Sequence, residues 1–173
     1  MSGKAVSLYS VNKLISEARR IAADYRRATG KPLGISAEIA RHDACTYLEL
    51  EPNEDAVGYD AEALTGIDKG CRYQIKGRAI FDEAKGGQRI GQIKIEQEWD
   101  KILLVLMDED FETTEIYQAS REEILRDVDD STAKRQKRGA MSVAKFKHIS
   151  QLVWNKDEGL IDDEVWDNQA RSN

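Results

Sequence analysis

The chain has 173 residues, 40% of them apolar and 34% charged, which suits one soluble globular domain with a proper core. Its longest apolar run, Ile102 to Met107, is far too short to span a bilayer, so no membrane partner is expected. The net charge of −6 argues weakly against a nucleic-acid binder, but the charge is unevenly spread. Residues 157–173 carry six acids against Arg171 alone, which reduces the chain's 26 basic and 32 acidic residues to 25 and 26 in the rest. In that nearly neutral body, Lys134, Arg135, Lys137 and Arg138 form a dense basic run suited to an anionic partner.

Met1-Ser2-Gly3-Lys4 leads into no apolar signal segment, and two cysteines, Cys45 and Cys71, fit a reducing compartment. A cytoplasmic protein is the expectation. His42-x-x-Cys45 has ligand-like spacing, but Cys71 and His148 stand apart, whereas zinc sites come as two close pairs.

Residues 8–29 read as an amphipathic helix. Leu8, Val11, Leu14, Ile15, Ala18, Ile21, Ala22 and Tyr25 recur at helical spacing and predict the buried face. Arg19, Arg20, Arg26 and Arg27 fall on or beside the opposite face, and Gly30 and Pro32 end the helix. A second helix is predicted from Ser36 to about Leu50, with Glu38 in its first turn, where the helix dipole favours an acid. Residues 35–41 have a faint helix-turn-helix flavour, but the turn-rich sequence from Glu51 offers no recognition helix.

Two short strands follow, Gly58 to Leu64 and Gly70 to Phe81, joined by a hairpin loop at 65–70. With a period of two, Gln74, Lys76 and Arg78 share one face, Tyr73 and Ile75 the other, and Asp60 and Glu62 share a face of the first strand. Antiparallel pairing lets an acid meet the Gln-x-Lys pair. Residues 85–89 predict a turn and 90–95 a strand or ledge. Trp99 to Met107 predicts a central strand covered on both faces, and Thr114 to Ala119 returns as its hairpin partner. Ser120 and Glu123 form a capping box for a helix to about Val128. Ser142 caps a last predicted helix carrying Val143, Phe146, Ile149, Leu152 and Val153 and closing at Trp154. The domain is predicted to span 1–155, with 156–173 an acidic tail. The element order predicts an α+β arrangement around a mixed sheet.

Glu38 on an early helix, Asp60 on a strand and Gln74-Ile75-Lys76 on the next resembles the PD-(D/E)xK nuclease superfamily, in the variant where glutamine replaces the second acid. The resemblance covers roughly residues 8–120, and the chain looks especially similar to small uncharacterised bacterial proteins of restriction-endonuclease-like fold with a Gly-Tyr-Asp…Gln-Ile-Lys-Gly-Arg pattern. Here Tyr59 stands where the family motif has proline. The resemblance implies a mixed four- to five-stranded sheet flanked by helices, with a helix between about 82 and 98.

It also implies a metal-dependent endodeoxyribonuclease, in a restriction, repair or mobile-element setting. Asp60, Gln74 and Glu38 would hold Mg²⁺ or Mn²⁺, with Glu62 an alternative ligand, and Lys76 would orient water and stabilise developing charge. Arg78 and the basic run would contact DNA. Cutting both strands takes two sites, so a homodimer is a further expectation, and the acidic tail is a surface for a protein partner. The alternative is a catalytically inactive member of the fold that binds DNA or protein.

Overall fold

The computed structural model describes residues 10–55, 57–84, 86–130 and 140–161. In order the elements are α1 (Val11–Thr29), α2 (Ser36–Tyr47), β1 (Glu51–Pro52), β2 (Ala61–Glu62), β3 (Arg72–Ala79), β4 (Lys101–Met107), β5 (Thr113–Ser120), α3 (Arg121–Asp130), α4 (Val143–Ile149), β6 (Gln151–Asn155) and β7 (Gly159–Leu160). The α+β class expected from the sequence holds. One sheet runs in sequence order from β1 to β7. Only β3 and β4 are parallel; every other neighbouring pair is antiparallel.

The sheet divides two cores. Alternation along β3 and β4 sends Tyr73, Leu103, Val105 and Met107 to one face, beneath α1 and α2. Ile102, Leu104 and Leu106 go to the other, beneath the 90–99 segment, α3 and α4. Residues 102–105 of β4 are fully buried, as a strand covered on both faces must be. Gly77 makes the first face possible. A Cβ there would lie 2.5 Å from Ala40 Cβ and 2.8 Å from the Ser36 carbonyl oxygen, so its absence lets α2 lie against β3.

Four expectations are corrected. Among the described residues the sheet has seven strands rather than four or five, because two-residue strands extend both edges and β6 joins β5. The last helix stops at Ile149 and does not reach Trp154. Ser150 is extended (φ −119°, ψ 174°), and Leu152 and Trp154 pair with Tyr117 and Ile116 of β5. The open edge of β5 offers these residues a ladder of inter-strand hydrogen bonds in place of helical ones. The described residues of 82–98 contain no helix. Ile90 and Ile93 are buried there in irregular chain, as is Trp99 just beyond, and Arg121 holds the segment by donating to the carbonyls of Ile95, Gln97 and Trp99.

The fourth correction concerns α1. Its predicted inner stripe is largely outside: Val11, Leu14, Ile21 and Tyr25 are 63%, 47%, 52% and 41% exposed. Arg19 points inward instead, pairing with buried Asp43 at 3.0 Å. Asp43 also accepts from the Thr113 hydroxyl at 2.6 Å, and Arg19 donates to the Phe111 carbonyl. A buried charge is tolerated only when paired and hydrogen-bonded, and this network supplies both. It fixes the rotation of α1 with small Ala22 and Ala23 beside Arg19.

Candidate functional site

Asp60 stands one residue before β2. Ala61 pairs with Tyr73, so the next antiparallel position sets Asp60 against Gln74. The main-chain ladder ends here. Asp60 N–H donates to Tyr73 O at 2.8 Å, its carbonyl accepts from Asn53 N–H, and the next β3 amide, Ile75 N–H, donates to Asp60 Oδ2 at 2.7 Å. The carboxylate thus replaces a backbone acceptor where β2 and β3 part. Its other oxygen, Oδ1, makes no hydrogen bond among the described residues.

Lys76 lies two residues beyond Gln74 on the same face, as the alternation predicts. Its stem packs beside Gly91, whose Cβ position is 4.0 Å from Lys76 Cδ. Burial pushes the ammonium below its ordinary range, against the pull of Asp60, and Lys94 nearby adds to the lowering. No described residue forms an ion pair with it within 4.0 Å. This is a partly desolvated cation that senses one carboxylate.

Gln74 is 3% exposed. Its Oε1 accepts from Lys94 N–H at 3.2 Å, while its Nε2 is buried without a partner. The amide therefore fastens the 90–95 segment over β3 and leaves its NH2 group without a partner among the described residues. Such a donor costs about 1–3 kcal/mol unless a water or ligand oxygen meets it.

Asp60, Gln74 and Lys76 are thus brought together, and Glu38 is not joined to them. It is exposed on α2, in a groove with Val11, Ile15, Arg41, His42 and Cys45, and no hydrogen bond or ion pair links it to the other three. Glu62 lies opposite Arg72 and accepts from the Tyr59 hydroxyl at 3.4 Å. Arg78 sits at the end of β3 in a cleft of about 580 Å³ with Arg26, Ser36 and Phe81, where the Arg26 guanidinium lies 3.9 Å from the Phe81 ring centre. Lys134, Arg135, Lys137 and Arg138 lie outside the described residues, as does most of the acidic tail; its first residues continue the sheet through β7. Cys45 and Cys71 are free thiols.

Lys94 and Arg121 escaped the sequence reading. The alternation Ile93-Lys94-Ile95 marked a half-covered segment, but nothing in it tied Lys94 to Gln74 or Lys76. Arg121 follows a capping box and reads there as an ordinary helix residue.

The donor set decides what cation these residues suit. Among the described residues, no three His, Cys, Asp or Glu side chains converge. Asp60 Oδ1 offers one hard oxygen, and turning the Gln74 amide would offer a second at the expense of the Lys94 bond. Such a set fits Mg²⁺, which is commonly held by one or two carboxylates with water and substrate phosphate. It does not fit a dedicated zinc or calcium cage. No helix among the described residues is long and apolar enough to cross a membrane. No known family model matches this chain, and no match to it was found among the curated proteins.

Proposed function

We propose that the protein is a metal-dependent nuclease that hydrolyses phosphodiester bonds of DNA, with its site where β2 and β3 part. The observation that carries this reading is the meeting of Asp60, Gln74 and Lys76 around a partly desolvated, unpaired ammonium. The element order supports it. Two helices, three antiparallel strands, a parallel fourth and an antiparallel fifth make one mixed sheet of the α+β kind such a nuclease would need, without the helix that the resemblance implies between about 82 and 98.

A Mg²⁺ on Asp60 would lower the pKa of a bound water and neutralise phosphate charge. The chain's own groups do the rest. Asp60 is aimed by its bond from Ile75 N–H. Lys76 places positive charge where the phosphorane oxygens gain negative charge, and its partial burial strengthens that interaction. The unpartnered Gln74 Nε2 is a donor for a water or phosphate oxygen. Arg78, with Arg26, supplies cations along a duplex backbone.

The test is plasmid nicking in Mg²⁺ or Mn²⁺, with Asp60→Ala and Lys76→Ala as controls. Nicking that both substitutions abolish supports the reading; nicking that survives them refutes it. One observation favours the alternative of a non-catalytic binding module: Gln74 Oε1 is already engaged by Lys94 N–H, a purely structural use of the amide. That alternative predicts DNA binding without cleavage, weakening steeply with salt.

A further inference from the structure

The chain carries 32 acidic and 26 basic residues, so an arginine has a surplus of carboxylates to pair with. Among the described residues, five arginines stand 2.7 to 3.2 Å from a carboxylate. Two more, Arg41 and Arg121, donate to main-chain carbonyls. Arg26, Arg78 and Arg89 make neither kind of bond with the described residues, and the first two line one cleft. It lies at the carboxyl end of β3, between the end of α1, the start of α2 and the 81–88 chain, and has a volume of about 580 Å³. Among the described residues of its lining Asp82 is the one carboxylate. Its Oδ1 accepts from Ala84 N–H at 3.0 Å, and no ion pair joins it to either arginine.

Two guanidiniums in one cleft repel each other, and no described residue offsets that with an ion pair. The rest of the lining suits an anion. The Arg26 guanidinium lies 3.9 Å from the Phe81 ring centre, a contact that holds it in place and leaves its N–H groups without an acceptor. Ser36 begins α2 at the cleft, and Ile35 before it offers the helix no side-chain cap, so the leading N–H groups add donors there. Gly34 and Gly86 line the cleft as well. Neither has a positive φ, and a Cβ at either would meet nothing within 4 Å. Neither packing nor backbone conformation calls for glycine at these two positions; what their missing side chains leave is open space in the cleft.

We propose that this cleft is a binding site for a phosphate monoester carried on a flat ring, the chemistry of a nucleoside monophosphate. Each arginine offers a fork of N–H donors that fits two phosphate oxygens at once. A monoester brings three such oxygens and up to two negative charges, enough for both cations. The ring stacks where Arg26 and Phe81 already lie face to face, as a base stacks on arginine and aromatic side chains elsewhere. The cleft's volume falls within the roughly 300–1,000 Å³ of small-molecule sites. A monoester also has one free end with which to enter a cleft, whereas a diester inside a duplex is tethered on both sides. The group can arrive on a free nucleotide or at the end of a DNA strand. The inference does not rest on the nuclease reading, because binding needs neither metal nor cleavage.

Isothermal titration of the full chain in metal-free buffer tests it. The probes are deoxyadenosine 5′-phosphate, deoxyadenosine, inorganic phosphate, and a short single strand with and without its 5′-phosphate. The nucleotide is expected to bind at least about tenfold tighter than deoxyadenosine or inorganic phosphate. Arg26→Ala and Arg78→Ala should each weaken it at least about tenfold, while Arg126→Ala, remote on α3 and paired with Glu122, should not. Gly34→Leu has room for its Cβ, so it should keep the circular dichroism spectrum and weaken binding by filling the cleft. Should Arg26→Ala disturb the fold, Arg78→Ala and Gly34→Leu carry the test. Tighter binding of the phosphorylated strand than of the nucleotide, lost with the phosphate, supports the proposal and assigns the group to a DNA end; the reverse order supports it and assigns the group to a free nucleotide. A wild type that binds neither phosphorylated probe up to about 1 mM overturns the proposal. So does one that binds the nucleotide no tighter than deoxyadenosine or inorganic phosphate, or a folded Arg78→Ala variant that binds it as the wild type does.

Discussion

Gly77→Ala is the sharpest test of how the site is held. Gly77 lies between Lys76 and Arg78, and α2 packs directly over it. The added methyl would stand 2.5 Å from Ala40 Cβ, 2.8 Å from the Ser36 carbonyl oxygen and 3.3 Å from Met107 Cε. Carbon atoms pack at about 3.5–4.0 Å, so α2 must retreat by about 1 Å. Met107 can turn away; a main-chain carbonyl and the Ala40 methyl move only with the helix. That movement loosens Ile39, Ala40 and Ala44, all fully buried. Overpacking of this kind costs about 1–3 kcal/mol, and the rigid obstacles put this case at the upper end. Loss of glycine's freedom in the unfolded chain returns about 0.4–1 kcal/mol. The net expectation is a loss of about 2 kcal/mol, equivalent to a fall in Tm of about 4–8 °C for a chain of this size. Urea unfolding followed by circular dichroism measures it. Gly34→Ala is the control, since a Cβ there meets nothing within 4 Å and the change should stay within about 0.5 kcal/mol. A Gly77→Ala protein as stable as the wild type would refute the packing of α2 on β3.

Three further outcomes follow from named contacts. Asp43→Ala strands the buried Arg19 guanidinium and the Thr113 hydroxyl, so urea unfolding should show a loss of about 3–5 kcal/mol, and a loss under 1 kcal/mol contradicts the network. Lys76 holds its proton less tightly folded than unfolded, so the charged lysine disfavours folding at neutral pH and the penalty fades as pH rises toward the ordinary lysine range. Lys76→Met should therefore be more stable than the wild type at pH 7, by a few tenths to about 1 kcal/mol, with the gap shrinking near pH 10.5; an unchanging gap contradicts the burial argument. Burial pushes the Cys45 thiol up to about 11, so in a Cys71→Ser protein at pH 8 its alkylation should be about two orders of magnitude slower than in urea, and equal rates contradict it.

The local features of the chain were the legible ones. Alternation in residues 70–81 separated Gln74, Lys76 and Arg78 from Tyr73 and Ile75, and β3 places them so. The capping box was equally direct: Ser120 N–H donates to Glu123 Oε2 at 2.8 Å and Glu123 N–H to Ser120 Oγ at 3.2 Å. The features that failed depend on distant partners. Nothing near Arg19 in sequence reveals Asp43, 24 residues on, yet that pair sets which face of α1 is inside. Leu152 and Val153 keep helical spacing with Ile149, and only the free edge of β5 makes them part of a strand. The site divides in the same way. The meeting of Asp60 with Gln74 follows from hairpin register, which is local. The position of Glu38 depends on how α2 turns over β3, and the capture of Gln74 Oε1 by Lys94 depends on the path of the 82–98 chain; neither is written in spacing.

The most direct test of the account joins chemistry to the site. The purified chain, incubated with supercoiled plasmid and Mg²⁺ or Mn²⁺, should convert it to nicked and linear forms. EDTA should stop the conversion, and Asp60→Ala and Lys76→Ala, both folded by circular dichroism, should each reduce it by at least about a hundredfold. Cleavage that persists in those two variants, or a wild type that cuts no DNA with either metal, would contradict the assignment of Asp60, Gln74 and Lys76 as a phosphodiester-cleaving site.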